Sequence, residues 1–327
     1  MKMRMVIFTC MAAFLCVTNT TGATNIVALL PESGEFVKVL DGIRGELGDS
    51  YHVDVIDMLR PFNIGDIAKQ CKMSDAKALL LMDSKAVNTA MELQKQDSLF
   101  KAIPKFVSMT LIADVTAQGL SNVCGIKFEV PIYTLVTNFR IISKKDFSSV
   151  GVFYRKSFSR SIQESQNLLA KEKINLNSLC LDCDNSQKTS RETALAMMSG
   201  FFDKTARDGS VDVFLVLADN LVLNNKTLVD FWLEKVKRGK IPVIAPLDLL
   251  TSPKMGLAIF SVYPDLPQLG VQAANQITDY FENRNVPATI GFEPIISIKS
   301  TLNSVVAQET GWKLKQEKLG RITTIIK

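Results

Sequence analysis

A single histidine, His52, is all the imidazole this 327-residue chain possesses. That scarcity removes the commonest general base and argues against a histidine-rich metal cluster or a Ser-His-Asp arrangement. His52 also falls at the start of a strand-like run, away from the strand ends where clefts form, and reads as structural or exposed. No glycine-rich loop of the phosphate-cradling kind occurs, so no cofactor is indicated. There is no Gly- or Ser-rich linker, no low-complexity tract and no helix-turn-helix at the N-terminus. Beyond the N-terminal segment no stretch approaches the roughly 20 apolar residues needed to span a bilayer. The formal charge is +5. A surplus that small, with no basic block, does not argue for nucleic acid, and none is expected as a partner.

Cysteine is also scarce, at six residues, and two of these, Cys10 and Cys16, lie in the N-terminal segment. Cys180-Leu-Asp-Cys183 has the spacing of a redox pair or half a zinc site. A redox pair should open a helix, whereas this one follows the strand-like run Asn175 to Leu181. A structural zinc would need a second such pair, and none exists. A local disulfide or two idle thiols remain, and pairing of Cys71 with Cys124 is left open.

What is present begins with an export leader. Lys2 and Arg4 precede the uncharged apolar run Met5 to Val17, and the small residues Thr21-Gly22-Ala23 close the segment, the order of a secretory signal. Cleavage is expected after Ala23, so that 1–23 are removed and the chain enters the periplasm. A bulky Leu15 before Cys16 speaks against a lipoprotein anchor. With Lys2 and Arg4 gone and no acid lost, a charge of +3 remains.

The remainder alternates strand-like and helix-like segments. Asn25 to Leu30, Tyr51 to Asp57, Ala76 to Met82 and Phe106 to Ile112 read as strands. Glu35 to Leu47, Phe62 to Cys71 and Ser84 to Gln94 read as the helices between them. After a break near Phe128 to Pro131 the pattern restarts. Its strands are Ser149 to Tyr154, Asn175 to Leu181, Val211 to Leu217 and Ile241 to Ala245. Its helices are Ser157 to Glu172, opened by a capping serine, Ser190 to Ala206 and Lys226 to Arg238. The alternation predicts an α/β fold with two doubly wound parallel-sheet lobes. An apolar share of 47% is ample for two cores.

In open parallel sheets ligands bind beyond the carboxyl ends of the strands. The candidate ligand-binding residues therefore lie in the loops that follow the strands: Glu32, Ser33 and Gly34; Asp83, Ser84 and Lys85; Asp114; Tyr154, Ser157 and Phe158; Asp219 and Asn220; and Asp248. Several of these loops run into helix N-termini, whose free N–H groups favour an anion. Asp83 and Asp219 are expected to face each other across the cleft and favour a cationic or donor-rich group, with capping of helix or turn as the alternative. The aromatic side chains Phe36, Tyr154, Phe158 and Tyr263 suit a ring or apolar ligand.

These residues and their order resemble the ABC-transporter substrate-binding proteins that include tryptophan- and tyrosine-type binders, a branch of the type I periplasmic binding fold. Asp114-Val-Thr-Ala-Gln-Gly-Leu120 is similar to that family's Asp-Pro-Val-x-x-Gly-Leu stretch, and Asn122-Val-Cys-Gly-Ile126 to its Asn-Val-Thr-Gly-Val. Val150 to Tyr154 resembles the strand opening the second lobe, and Ala218-Asp219-Asn220 its Thr-Asp-Asn. Val262 to Gly270 resembles a late helix start. Asn303, Ala307 and Gly311 match the closing Asn-x-x-x-Ala-x-x-x-Gly. The departures fall where ligand is held. Ser33 to Val37 lacks the family's histidine and aspartate, and Asp83-Ser-Lys-Ala86 replaces Thr-Pro-Ala-Ala.

The resemblance implies a three-strand hinge, with crossovers near Phe128 to Pro131, Ala245 to Leu249 and Ile295 to Lys299. One lobe then takes residues 24–128 plus about 248–297, the other 129–247 plus about 298–327. It further implies a monomeric receptor that closes on a small molecule, an amino acid or an aromatic or apolar compound, and presents it to the membrane permease of an ABC importer. The departures favour a changed ligand. A periplasmic ligand-sensing subunit of a membrane signalling protein is the alternative, and an enzyme the less favoured one.

Overall fold

A computed structural model describes residues 23–183 and 190–327. The leader expected over 1–23 lies outside them except for Ala23. Among the described residues no helix is long and apolar enough to cross a membrane.

The first part of the chain runs β1 (Thr24–Leu30), α1 (Gly34–Leu47), β2 (Tyr51–Asp57), α2 (Ile64–Met73), β3 (Ala78–Leu81), α3 (Ser84–Gln96), α4 (Leu99–Ala102), β4 (Lys105–Val107), α5 (Ala113–Thr116) and β5 (Val123–Lys127). The second part runs α6 (Ile132–Ile142), β6 (Ser149–Tyr154), α7 (Ser159–Lys171), β7 (Asn175–Cys180), α8 (Arg191–Asp208) and β8 (Val213–Leu215). It continues through α9 (Asn225–Thr227), which runs on as a π-helix over Leu228–Lys237, to β9 (Val243–Ala245) and β10 (Phe260–Pro264). The chain then returns for α10 (Leu266–Asn283), α11 (Pro287–Ile290) and β11 (Phe292–Pro294), and crosses once more to β12 (Ile298–Asn303), α12 (Ser304–Glu309) and β13 (Thr324–Ile326).

Two sheets result, in the orders β11-β5-β4-β3-β1-β2 and β13-β12-β10-β9-β8-β6-β7. Every pairing in the first is parallel. The central strands are continuous apolar runs because helices cover both faces. The period of two sorts their side chains. Ile26, Ala28 and Leu30 pack with Val39 and Ile43 of α1 and Leu269 and Ile277 of α10. Val27 and Leu29 face the opposite way, onto Ile67 of α2 and Val87 and Leu93 of α3. The second sheet repeats this: Val213 and Leu215 share a core with α6 and α7, while Phe153, Phe214, Phe231 and Trp232 form an aromatic core under α8 and the π-helix.

The chain passes between the sheets three times, over 128–131, at Asp265 and over 295–297. The first and third passages fall where the sequence reading puts them. The second does not fall at Ala245–Leu249, and residues 248–264 belong with the second sheet. The buried apolar run Leu257 to Phe260 leads into β10, which inserts between β9 and β12 and holds the chain in that sheet through Pro264. Because β10 runs towards a crossing and β12 leaves from one, these two strands pair antiparallel. The second and third crossings are joined directly, the Asp265 N–H donating to the Ser297 carbonyl at 3.1 Å.

Two local expectations are corrected and the open cysteine pairings are decided. The fourth strand ends at Val107, since Met109 and Ile112 take positive φ (52° and 45°) and curl the backbone into the cleft. The helix read from Ser157 starts at Ser159 after one 3-10 turn, and no side chain caps it. The Cys180-x-x-Cys183 pair is a disulfide, and Cys71 and Cys124 are buried free thiols, which settles the open pairings.

Candidate functional site

Apart from β12 and β13, which run the other way, the strands of both sheets direct their carboxyl ends at the gap between the lobes, and two adjoining cavities lie there, of ≈ 300 Å³ and ≈ 440 Å³. Leu111, Ile112, Ser157, Phe158, Ala218 and Leu247 line both. Each volume is within the range of small-molecule pockets, about 300–1,000 Å³.

The walls of the first cavity come from every part of the hinge. Phe128 to Pro131 belong to the first crossing, and Pro264 and Pro294 stand where the second and third begin. The lobe of the first sheet (lobe 1) adds the curled loop after β4 and the start of α5. The lobe of the second sheet (lobe 2) adds the first turns of α7 and the loops after β8 and β9. Carbon dominates these surfaces, with Leu111, Val115, Phe128, Ile132, Leu217 and Pro246 among them.

Charged groups at the site are mostly paired within their own lobe. Lys127 Nζ lies 3.0 Å from Asp114 Oδ2, and Arg160 Nε 3.0 Å from Glu164 Oε1. Beside the second cavity the Arg155 guanidinium reaches Asp219 Oδ1 at 2.9 Å and also bonds the Asn220 side chain. Asp219 additionally accepts the Leu221 N–H at 2.7 Å, so its buried carboxylate stitches the loops after β6 and β8 together.

Glu129 is the exception. It stands in the first crossing, half-buried in the cavity wall, and accepts the N–H of Ile112. Ile112 is a β-branched residue in the left-handed region, an arrangement that costs free energy and needs a partner to hold it. No cation pairs with Glu129 among the described residues. Burial pushes its carboxyl up to about 7, Asp114 adds repulsion, and its own backbone N–H and Lys127 act in the opposite direction.

Of the residues singled out from sequence, Ser84, Asp114, Ser157, Phe158, Asp219 and Asn220 line one or both cavities. The others stand outside the walls. Asp83 accepts the Ala86 N–H at 2.6 Å as the cap of α3. Lys85 turns away to donate to the Met58 carbonyl at 2.5 Å and lies over the Phe62 ring. Glu32, Ser33 and Gly34 are exposed at the start of α1, Tyr154 packs on the core, and Asp248 accepts from the Thr251 hydroxyl at 3.4 Å. His52 is exposed and 3.0 Å from Asp54, at the amino end of β2. Sequence reasoning missed Glu129, Tyr133 and the Arg160–Glu164 pair. For Glu129 the signal was an acid set inside the otherwise apolar Phe128 to Ile132.

No family model matches the chain, and no curated protein matches it in sequence. Solved structures do match in fold. A ligand-free, open substrate-binding protein with adhesive properties from Clostridium difficile is 14% identical over 93% of this chain and 99% of its own, with a TM-score of 0.64. A conserved domain protein from Vibrio cholerae is 18% identical over 93% and 99%, with a TM-score of 0.61. An ABC domain from Streptococcus pneumonia, solved in complex with L-Trp, is 16% identical over 93% and 100%, with a TM-score of 0.58. The chain has the two-lobed α/β architecture of the type I periplasmic binding proteins.

Proposed function

We propose that this chain is an exported solute-binding receptor that closes its two lobes around one small molecule and presents the closed form to the permease of an ABC importer. The observation that carries the reading is the position of the first cavity. It is walled by both lobes and by all three crossings, so any rotation about the crossings changes its volume and its contacts together. A ligand touching both lobes binds the closed form better, and that difference in affinity is what drives closure. Similar folds with bound solutes, such as the one solved with L-Trp, support a transport rather than a catalytic use.

The test uses Ala218, which lines both cavities from the end of β8. Native protein recovered from the periplasm should begin at Thr24 and release a stoichiometric small molecule on unfolding, detected by mass spectrometry. Ala218→Trp should fill the cleft and carry no such molecule while its circular dichroism is unchanged. Equal loading of the variant would move the site elsewhere, and intact Met1 protein confined to membranes would defeat export.

A further inference from the structure

The charge inventory of the cleft bears on what the ligand is. Three cations stand at the two cavities and each already has an anion: Lys127 has Asp114, Arg160 has Glu164, and Arg155 has Asp219. A ligand carboxylate would have to share one of these cations with an acid already bound to it. Glu129 is the reverse case, an acid with a hydrogen-bond donor but no cation. A carboxylate offers about four acceptor positions on its two oxygens, and the Ile112 N–H takes one. The remainder adjoin a cavity whose walls are largely apolar. A charge so placed is costly until a partner arrives.

We infer that the ligand is an apolar-bodied amine without a carboxylate, its ammonium held against Glu129 and its carbon skeleton lodged between Phe128, Ile132, Phe158 and Leu217. The inference rests on the receptor reading and names the solute class of that same cleft. It also fixes the sign of a pH effect. Burial keeps the Glu129 carboxyl up near about 7, so at neutral pH a fraction of the unliganded protein carries a proton there. An arriving ammonium favours the ionised form and expels that proton. Amine binding therefore strengthens as pH rises through about 7 and releases a proton to buffer. A neutral ligand that accepts a hydrogen bond from protonated Glu129 would show the opposite slope. The charged and titratable groups around Glu129 are Asp114 on α5, Lys127 at the end of β5, Tyr133 on α6, and Arg160 and Glu164 on α7.

Calorimetric titration of stripped protein decides the matter with four probes: phenethylamine, isoamylamine, phenylalanine and 3-phenylpropanoate. At least one of the two amines should bind. Phenylalanine should bind roughly tenfold or more weakly than phenethylamine, and 3-phenylpropanoate not at all. Glu129→Gln keeps an acceptor for Ile112 and should weaken amine binding about tenfold or more. Glu129→Asp retains the charge and should recover part of the loss, which separates charge recognition from a folding defect. Tighter binding of either carboxylate, failure of both amines, an unaffected Glu129→Gln, or affinity rising as pH falls would each overturn the inference. If both amines fail while the co-purified compound still contracts the protein in solution scattering, the receptor reading stands and only the amine falls. If no compound contracts it, the receptor reading falls as well.

Discussion

Asp83 and Glu129 show how a side chain's first hydrogen bond decides what it can do. Both acids stand near the strand ends facing the cleft. Asp83 spends its carboxylate on the Ala86 N–H, whereas Glu129 holds one loop N–H and keeps a face to the cavity. Asp83→Ala should therefore cost about 1 kcal/mol of stability in urea denaturation, the usual value of an N-cap. Ligand affinity should stay within about twofold. Affinity lost about tenfold at unchanged stability would place Asp83 in reach of the ligand instead. Residue positions such as Ser157 and Phe158 were legible because topology alone brings the loop after β6 to the gap. The aim of Lys85 was not, because its position beside the cleft does not reveal that it donates to Met58 and covers Phe62. Glu129 was hidden for another reason: a hinge segment has no periodicity from which a buried face can be read.

Among the elements, the contact between α1 and α10 anchors the returning chain to lobe 1 just after it leaves β10. Their backbones meet at two glycines. A Cβ built on Gly270 would lie 2.3 Å from the Val39 carbonyl oxygen, and one on Gly42 2.3 Å from that of Pro267. Gly45, also on α1, has open space at the same position. Gly270→Ala should destabilise the protein by about 1–3 kcal/mol through forced separation of the helices. Gly45→Ala should be neutral or stabilise by up to about 1 kcal/mol, since it only improves helix propensity. Equal melting temperatures for both variants would show that the helices slide without cost. Strands such as β1, β2 and β6 were readable from uninterrupted or alternating apolar runs between turn residues. The short β5 and β11 and the edge strand β13 were not, because three to five residues carry too little pattern. Missing β10 displaced the second crossover, as the apolar run from Leu257 was not recognised as continuing the sheet.

For the whole molecule, the strand-helix alternation was sufficient to foresee two parallel-sheet lobes, and two of the three passages between them fell as expected. The proposed ligand class was not legible, because it rests on which charges cancel across elements far apart in sequence, such as Arg155 with Asp219. The same architecture supplies the decisive test. The cavity is bounded by both lobes and by Pro131, Pro264 and Pro294 at or beside the crossings, so the receptor reading makes ligand contact and lobe closure one event. Solution X-ray scattering should be measured on protein stripped of its co-purified compound, then with that compound restored to saturation. The radius of gyration should fall on restoration, and Ala218→Trp should show no such change. An identical radius with and without a compound shown by calorimetry to be bound would contradict the clamp.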